Sequence, residues 1–254
     1  MKKLALVLAV GLALVVQVGA VPFDDMLRSA FMGDAKAQFN VGMAYYNGKG
    51  VARDLTAAAM WFRTAGNQGN ANAQFALGYM YNTGEGVELD YIKAVEWYRK
   101  AALQGDPSAQ GNLGYAYKNG KGVPQDQAEA VKWIRMAADQ DDANAQFNLG
   151  FAYEMGEGIQ RNQTEAVAWY RKAADKGHAS AQFNLAFDYE TGMSVGKDFI
   201  QAYKWYKLAS ESFSSTEKDQ ISRAVSNLDR IEKLLTPTQL ADAKRLARSW
   251  KPIK

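Results

Sequence analysis

The chain has no cysteine, a single histidine and only five prolines among 254 residues. Without cysteine there is no disulfide framework, no thiolate metal site and no cysteine nucleophile. The lone His178 removes histidine-cluster metal sites and leaves any Ser-His-Asp arrangement dependent on one residue. Excess charge is also missing. Thirty Lys and Arg face 27 Asp and Glu, a formal net charge of +3. Lys2 and Lys3 contribute two of those charges, so the rest of the chain carries 28 basic against 27 acidic residues, or +1. That balance supplies no bulk attraction for nucleic acid, and none is expected as a partner. What is present is an apolar content of 48%, ordinary for a folded chain and too high for disorder.

Long hydrophobic runs are confined to one place. Lys2-Lys3 precedes an uncharged apolar run from Leu4 to Val16, and Val18-Gly19-Ala20 then offers a small residue before a cut. This is the pattern of a secretory signal peptide over residues 1–20. The run is short for a bilayer span, which needs about 20 apolar residues. The expectation is a product cleaved near Val21, periplasmic or secreted, with no stable membrane insertion afterwards.

The middle of the chain repeats. Trp61, Trp97, Trp133, Trp169 and Trp205 are each 36 residues apart, as are Gln38, Gln74, Gln110, Gln146 and Gln182. A search for internal periods therefore divides residues 34–213 into five blocks, 34–69, 70–105, 106–141, 142–177 and 178–213. Each block reads as two helices. Ala73, Leu77, Gly78 and Tyr81 share one face of the first, and Ala94, Trp97, Tyr98, Ala101 and Ala102 form a stripe on the second. Asp34, Asn70, Asp106 and Asp142 suit N-caps of the first helices, and Asp54, Asp90, Asp126, Asn162 and Asp198 those of the second. Glu129, Glu165 and Gln201 stand where they can complete capping boxes. Glycines at 48, 84, 120, 156 and 192 end the first helices, and a second glycine at 50, 86, 122 and 158 turns the chain. Arg99, Arg135 and Arg171 lie where a cation meets the helix dipole favourably.

One such hairpin cannot bury its stripe alone, so the copies must stack. Both chain ends fit that demand. Residues 21–33 read as an N-terminal capping helix carrying Met26, Leu27 and Ala30, and residues 214–254 as C-terminal capping helices. The last of these opens at Thr236-Pro237-Thr238-Gln239, a capping box with proline at the first helical position. The predicted fold is all-α, a solenoid of stacked two-helix repeats with a 36-residue period and capping helices at both ends.

The strings Ala73-Gln74-Phe75-Ala76-Leu77-Gly78, Gly84-Glu85-Gly86-Val87 and Ala94-Val95-Glu96-Trp97-Tyr98-Arg99-Lys100-Ala101-Ala102 resemble the Sel-one-like repeat family, a branch of the tetratricopeptide-like α-solenoids. The fifth block departs from the pattern at Ala186, Ser194 and Ser210. The resemblance implies a right-handed superhelix whose first helices line the concave side. It also implies a protein-interaction scaffold, in bacteria often exported for envelope functions or host contact.

One stripe on the first helices is not claimed by the core. It carries Asn40, then Tyr79, then Asn112 and Tyr115, then Asn148 and Phe151, then Asn184 and Phe187. Rings supply rigid apolar area and amides both donate to and accept from a peptide backbone. These eight residues are the candidate binding surface for a protein or peptide partner. The competing reading packs the rings between helices and leaves the amides to solvate the surface. The repeated Gln and Trp columns are assigned to the core, where a buried amide must be paired. His178 replaces the acidic or amide N-cap of the earlier blocks and is expected at an exposed helix start.

Enzyme readings are weak, and no cofactor, metal or catalytic residue is expected. Some exported members of the resembled family are described as penicillin-binding or weakly β-lactamase-like, but that subgroup staples its repeats with disulfides. Ser194 to Lys197 and Ser215 to Lys218 match Ser-x-x-Lys, yet neither Ser-Asp-Asn nor Lys-Thr-Gly accompanies them. The alternatives to a binding scaffold are thus such a hydrolase, or a purely structural spacer.

Overall fold

A computed structural model describes residues 22–253, so the expected signal peptide lies outside the described residues. Thirteen helices and no strand occur among those residues. The entering helix is α1 (Pro22–Phe31). Five hairpins follow: α2 (Ala35–Asn47) with α3 (Leu55–Asn67), α4 (Ala71–Thr83) with α5 (Tyr91–Leu103), α6 (Pro107–Asn119) with α7 (Gln127–Ala138), α8 (Ala143–Met155) with α9 (Gln163–Asp175), and α10 (Ala179–Thr191) with α11 (Phe199–Ser212). The chain closes with α12 (Lys218–Glu232) and α13 (Pro237–Ser249). Extensive packing joins consecutive helices from α1 to α12, and α13 folds back onto α11. This nearest-neighbour order is that of an α-solenoid.

Local chemistry sets the helix ends. Asp34, Asn70, Asp106 and Asp142 each accept the backbone N–H three residues on, at 2.7–2.9 Å. The second helices are capped in the same way by Asp54, Asp90, Asp126, Asn162 and Asp198. Among the described helices a complete capping box forms only at Thr236 and Gln239, at the start of α13. In α7 the Glu129 carboxylate turns the other way. It accepts from Trp133 Nε1 at 2.8 Å and from Lys132 Nζ at 3.2 Å, because a buried indole N–H needs a partner.

The second turn glycine locks one repeat onto the last. At Gly122 the chain has φ +74°, and a Cβ there would stand 2.1 Å from the Tyr91 carbonyl oxygen at the start of α5. The fifth repeat carries Ser194 at this position without a left-handed backbone, and its buried Oγ lacks a hydrogen-bond partner.

Apolar stripes of neighbouring helices merge into a core running along the stack. Trp97, Trp133, Trp169 and Trp205 are buried in it. Trp61 is the exception, only half-buried against Phe31, because α1 alone covers that end. The glutamine column is buried throughout. Each Nε2 donates to the carbonyl eight residues earlier, at 2.9–3.3 Å. In three repeats its Oε1 also accepts from a glutamine thirty residues on: Gln68, Gln104 and Gln140. The series stops where Lys176 takes that position and pairs instead with Asp141, 3.6 Å away. A second ladder joins successive hairpins from outside. Arg63, Arg99, Arg135 and Arg171 donate to the hydroxyls of Tyr81, Tyr117, Tyr153 and Tyr189 at 2.5–2.6 Å.

At the C-terminal end, Arg230 of α12 pairs with buried Glu190. The tail then returns along the stack. Trp250 meets Trp205 edge-on and Ile253 N–H donates to the Asp175 carbonyl at 2.9 Å.

Candidate functional site

The first helices bury Ala37, Val41 and their equivalents and turn a different side outward. On that side Tyr79, Tyr115 and Phe187 are 39%, 53% and 44% exposed. Asn40 and Asn148 are exposed, while Asn112, Phe151 and Asn184 are half-buried. The eight candidate residues therefore form one row across five first helices, neither closed into the core nor fully in water.

Clefts open beside the row at its N-terminal half. One of about 270 Å³ is walled by Met43, Tyr46, Phe62, Phe75, Ala76 and Tyr79, almost wholly through apolar atoms. A neighbouring one of about 490 Å³ runs under α1 past Phe23, Met26, Asn40 and Met43. A third of about 220 Å³ lies between the second and third hairpins and includes Tyr98, Asn112 and Tyr115. Cations stand over several of these rings: Lys121 Nζ is 5.4 Å from the Tyr115 centroid and Lys118 Nζ 4.9 Å from that of Phe151.

Deeper polar groups cluster toward the C-terminal half. Asp188 is 3% exposed and its carboxyl is pushed up to about 6 by burial. Gln163 Nε2 donates to it at 3.4 Å and partly opposes that shift. Tyr170 donates to Glu154 Oε2, and burial followed by that bond pushes its phenol upward. No group of three or more His, Cys, Asp or Glu residues suited to a metal occurs among the described residues.

His178 departs from its expected exposure. It is half-buried, caps α10 by accepting Ala181 N–H at Nδ1, and stacks on Phe147 with centroids 4.6 Å apart. Burial pushes its imidazole pKa down. In neither Ser-x-x-Lys string does the serine hydrogen-bond to its lysine among the described residues. Ser194 Oγ is buried without a partner, and Lys197 lies over the Phe199 ring instead. Ser215 is exposed, outside any helix, two residues before Glu217, and has no hydrogen bond to Lys218 among the described residues. Asn162 spends its side-chain oxygen on the cap of α9.

The Sel1 repeat family model matches residues 35–70, 71–106, 107–142, 143–178 and 179–212. The chain belongs to the Sel1 repeat family. Its matched units begin one residue after the blocks divided from the sequence. Among solved structures, a protective antigen of uropathogenic Escherichia coli strains with an SLR fold is 32% identical, with a TM-score of 0.74 over 90% of this chain. The chain spans 56% of that antigen's length. A Sel1 repeat protein from Oxalobacter formigenes is 30% identical, with a TM-score of 0.68 over 80% of this chain and 89% of its own. No curated protein matches. Sel1 repeats are generally protein–protein interaction scaffolds, and proteins built from them are typically non-catalytic.

Both inter-repeat ladders escaped the sequence reading. Their signal was present, since Arg63 begins one 36-residue column and Tyr81 belongs to another that starts at Tyr45. Reading each column alone assigned the arginines to helix dipoles. Only the structure brings the two columns together across a hairpin boundary.

Proposed function

We propose that this Sel1 repeat protein is exported and binds a peptide or protein partner along the concave side formed by its first helices, without catalysing a reaction. The observation that carries this reading is the row of half-exposed rings. The first helices that bury Leu77, Met80, Tyr81, Leu113 and Leu185 leave Tyr79, Tyr115 and Phe187 outside, beside clefts and next to asparagine amides. Aromatic side chains expose area at low conformational cost and serve as anchors. Asparagine is a mediocre helix former, so its recurrence at 40, 112, 148 and 184 has no helix-forming advantage to explain it. Hydrogen bonds to an extended backbone do explain it.

Export rests on residues 1–20 and places the partner in the envelope or on a host surface. An intact mass beginning near Val21 after fractionation supports it, and one retaining Met1 in the envelope fraction contradicts it. For binding, the combined change Asn112, Asn148 and Asn184 to Ala is decisive. Affinity-purified partners recovered with the native chain should be lost, with helical content unchanged. Retention of the partner by the folded triple variant removes the asparagine row as its contact.

A further inference from the structure

The molecule contains its own template for a ligand. In the fourth repeat the Tyr170 hydroxyl donates to Glu154, with Asn184 and Asp188 facing the same group from α10. In the fifth, the Tyr206 hydroxyl donates to Glu190 at 2.8 Å. Each tyrosine ends against a carboxylate that the chain provides from the first helix of the same hairpin.

The second repeat has the same tyrosine without the carboxylate. Tyr98 stands 72 residues before Tyr170 and is 3% exposed, yet its hydroxyl has no hydrogen-bond partner. The 36-residue register places Asn82 where Glu154 would be, and Ala116 where Asp188 would be. Shortening both positions leaves the 220 Å³ cleft, which Asn82, Tyr98, Asn112 and Ala116 line. A buried hydroxyl without a partner is costly, and native structures seldom leave one without a reason. At the mouth, Lys121 Nζ lies 5.3 Å from the Tyr91 ring and 5.4 Å from the Tyr115 ring. Lys121 makes no ion pair among the described residues.

We infer that this cleft receives an acidic side chain of the partner. A guest Glu or Asp carboxylate accepts the Tyr98 hydroxyl as Glu154 accepts that of Tyr170. Asn112 donates its amide to the second oxygen, and Lys121 supplies the opposing charge. The hydroxyl is shielded from water, so the guest oxygen reaches it as the Asn82 side chain turns aside. The Tyr115 ring and the apolar cleft around Phe75 and Tyr79 then flank the guest on the same face. This inference rests on the scaffold reading and adds a chemical preference to it.

The test pans phage-displayed random 12-residue peptides on the full chain. Selected sequences are then synthesised with both ends blocked and their affinities measured by fluorescence anisotropy. The expected result is a Glu or Asp at a fixed place in the selected sequences, with binding at least tenfold weaker when it becomes Gln or Asn. Asn82→Glu fills the cleft from inside and should weaken the same peptides by a similar factor. Lys121→Gln, at the half-exposed mouth, should weaken them several-fold and flatten their salt dependence, and it decides the matter if Asn82→Glu does not fold. Peptides that bind without a fixed acid, or that ignore these changes, overturn the carboxylate site and leave the scaffold reading standing. Failure to select any peptide counts against both.

Discussion

Gly122→Ala separates the contribution of stacking from that of backbone conformation. Its φ of +74° is a region that an L side chain enters at a cost of about 1 kcal/mol. The new Cβ would also lie 2.1 Å from the Tyr91 carbonyl oxygen and 2.4 Å from its carbon. Carbon and oxygen ordinarily approach to about 3.3 Å, so the turn must withdraw from α5 by roughly 1 Å. The obstacle is backbone at a helix start, which cannot rotate away as a side chain does. Overpacking of this kind costs about 1–3 kcal/mol and occasionally more, giving a total near 3 kcal/mol. Gly105→Ala is the control, with φ +93° and nothing within 4 Å of its Cβ, and should show the conformational cost alone. A second control, Gly50→Ala, keeps the turn position but meets only Phe23 Cβ at 3.6 Å, since no repeat precedes it. Urea denaturation followed by far-ultraviolet circular dichroism measures all three. Equal losses at Gly122, Gly105 and Gly50 would refute the interlock.

Asp188 makes stability depend on pH in an unusual direction for a carboxyl. Its folded-state pKa is raised to about 6, so the native state holds a proton that the unfolded chain releases near 3.8. Stability from this group is therefore full below about 4, falls as pH rises toward 6, and is flat above that. Asp188→Asn should stabilise the protein at pH 7.5 by about 1–3 kcal/mol and remove the slope between pH 4 and 6; thermal melts across pH check it. Arg99→Ala together with Tyr117→Phe should show a coupling of about 1 kcal/mol in a double-mutant cycle, because the charged donor and phenol meet at a half-buried site. Gln110→Leu removes two hydrogen bonds but leaves the Ala102 carbonyl paired with Gly105 N–H and the exposed Gln140 amide paired with the Met136 carbonyl, and should cost about 0.5–1.5 kcal/mol in the same urea assay.

Periodicity carries most of the architecture. The Trp and Gln columns locate all five hairpins, and the Asp, Asn and Gly residues at their ends fix helix boundaries through local hydrogen bonds and backbone freedom. Those are short-range effects, and a sequence displays them directly. What a column does to the column beside it is less visible. Glu129 has the spacing of a capping box, but the buried Trp133 indole one turn on competes for its carboxylate and wins. His178 has the sequence position of an exposed cap, yet Phe147 from the preceding repeat covers it. The candidate row was legible as an angle on a helix, and its rings do reach solvent. The place beneath Tyr98 was not legible, because only the structure shows that the Tyr170 and Tyr206 hydroxyls end on Glu154 and Glu190 while that of Tyr98 ends on no partner.

A photo-crosslinking residue placed at Tyr115, and in a separate variant at Met136 on a second helix, tests the central claim most directly. Both sites are exposed, 53% and 42%, so accessibility does not bias the comparison. Illumination in the native cell should attach one defined partner through position 115 and not through position 136. Equal capture at both positions, or capture at 136 alone, would contradict a partner held along the first-helix face.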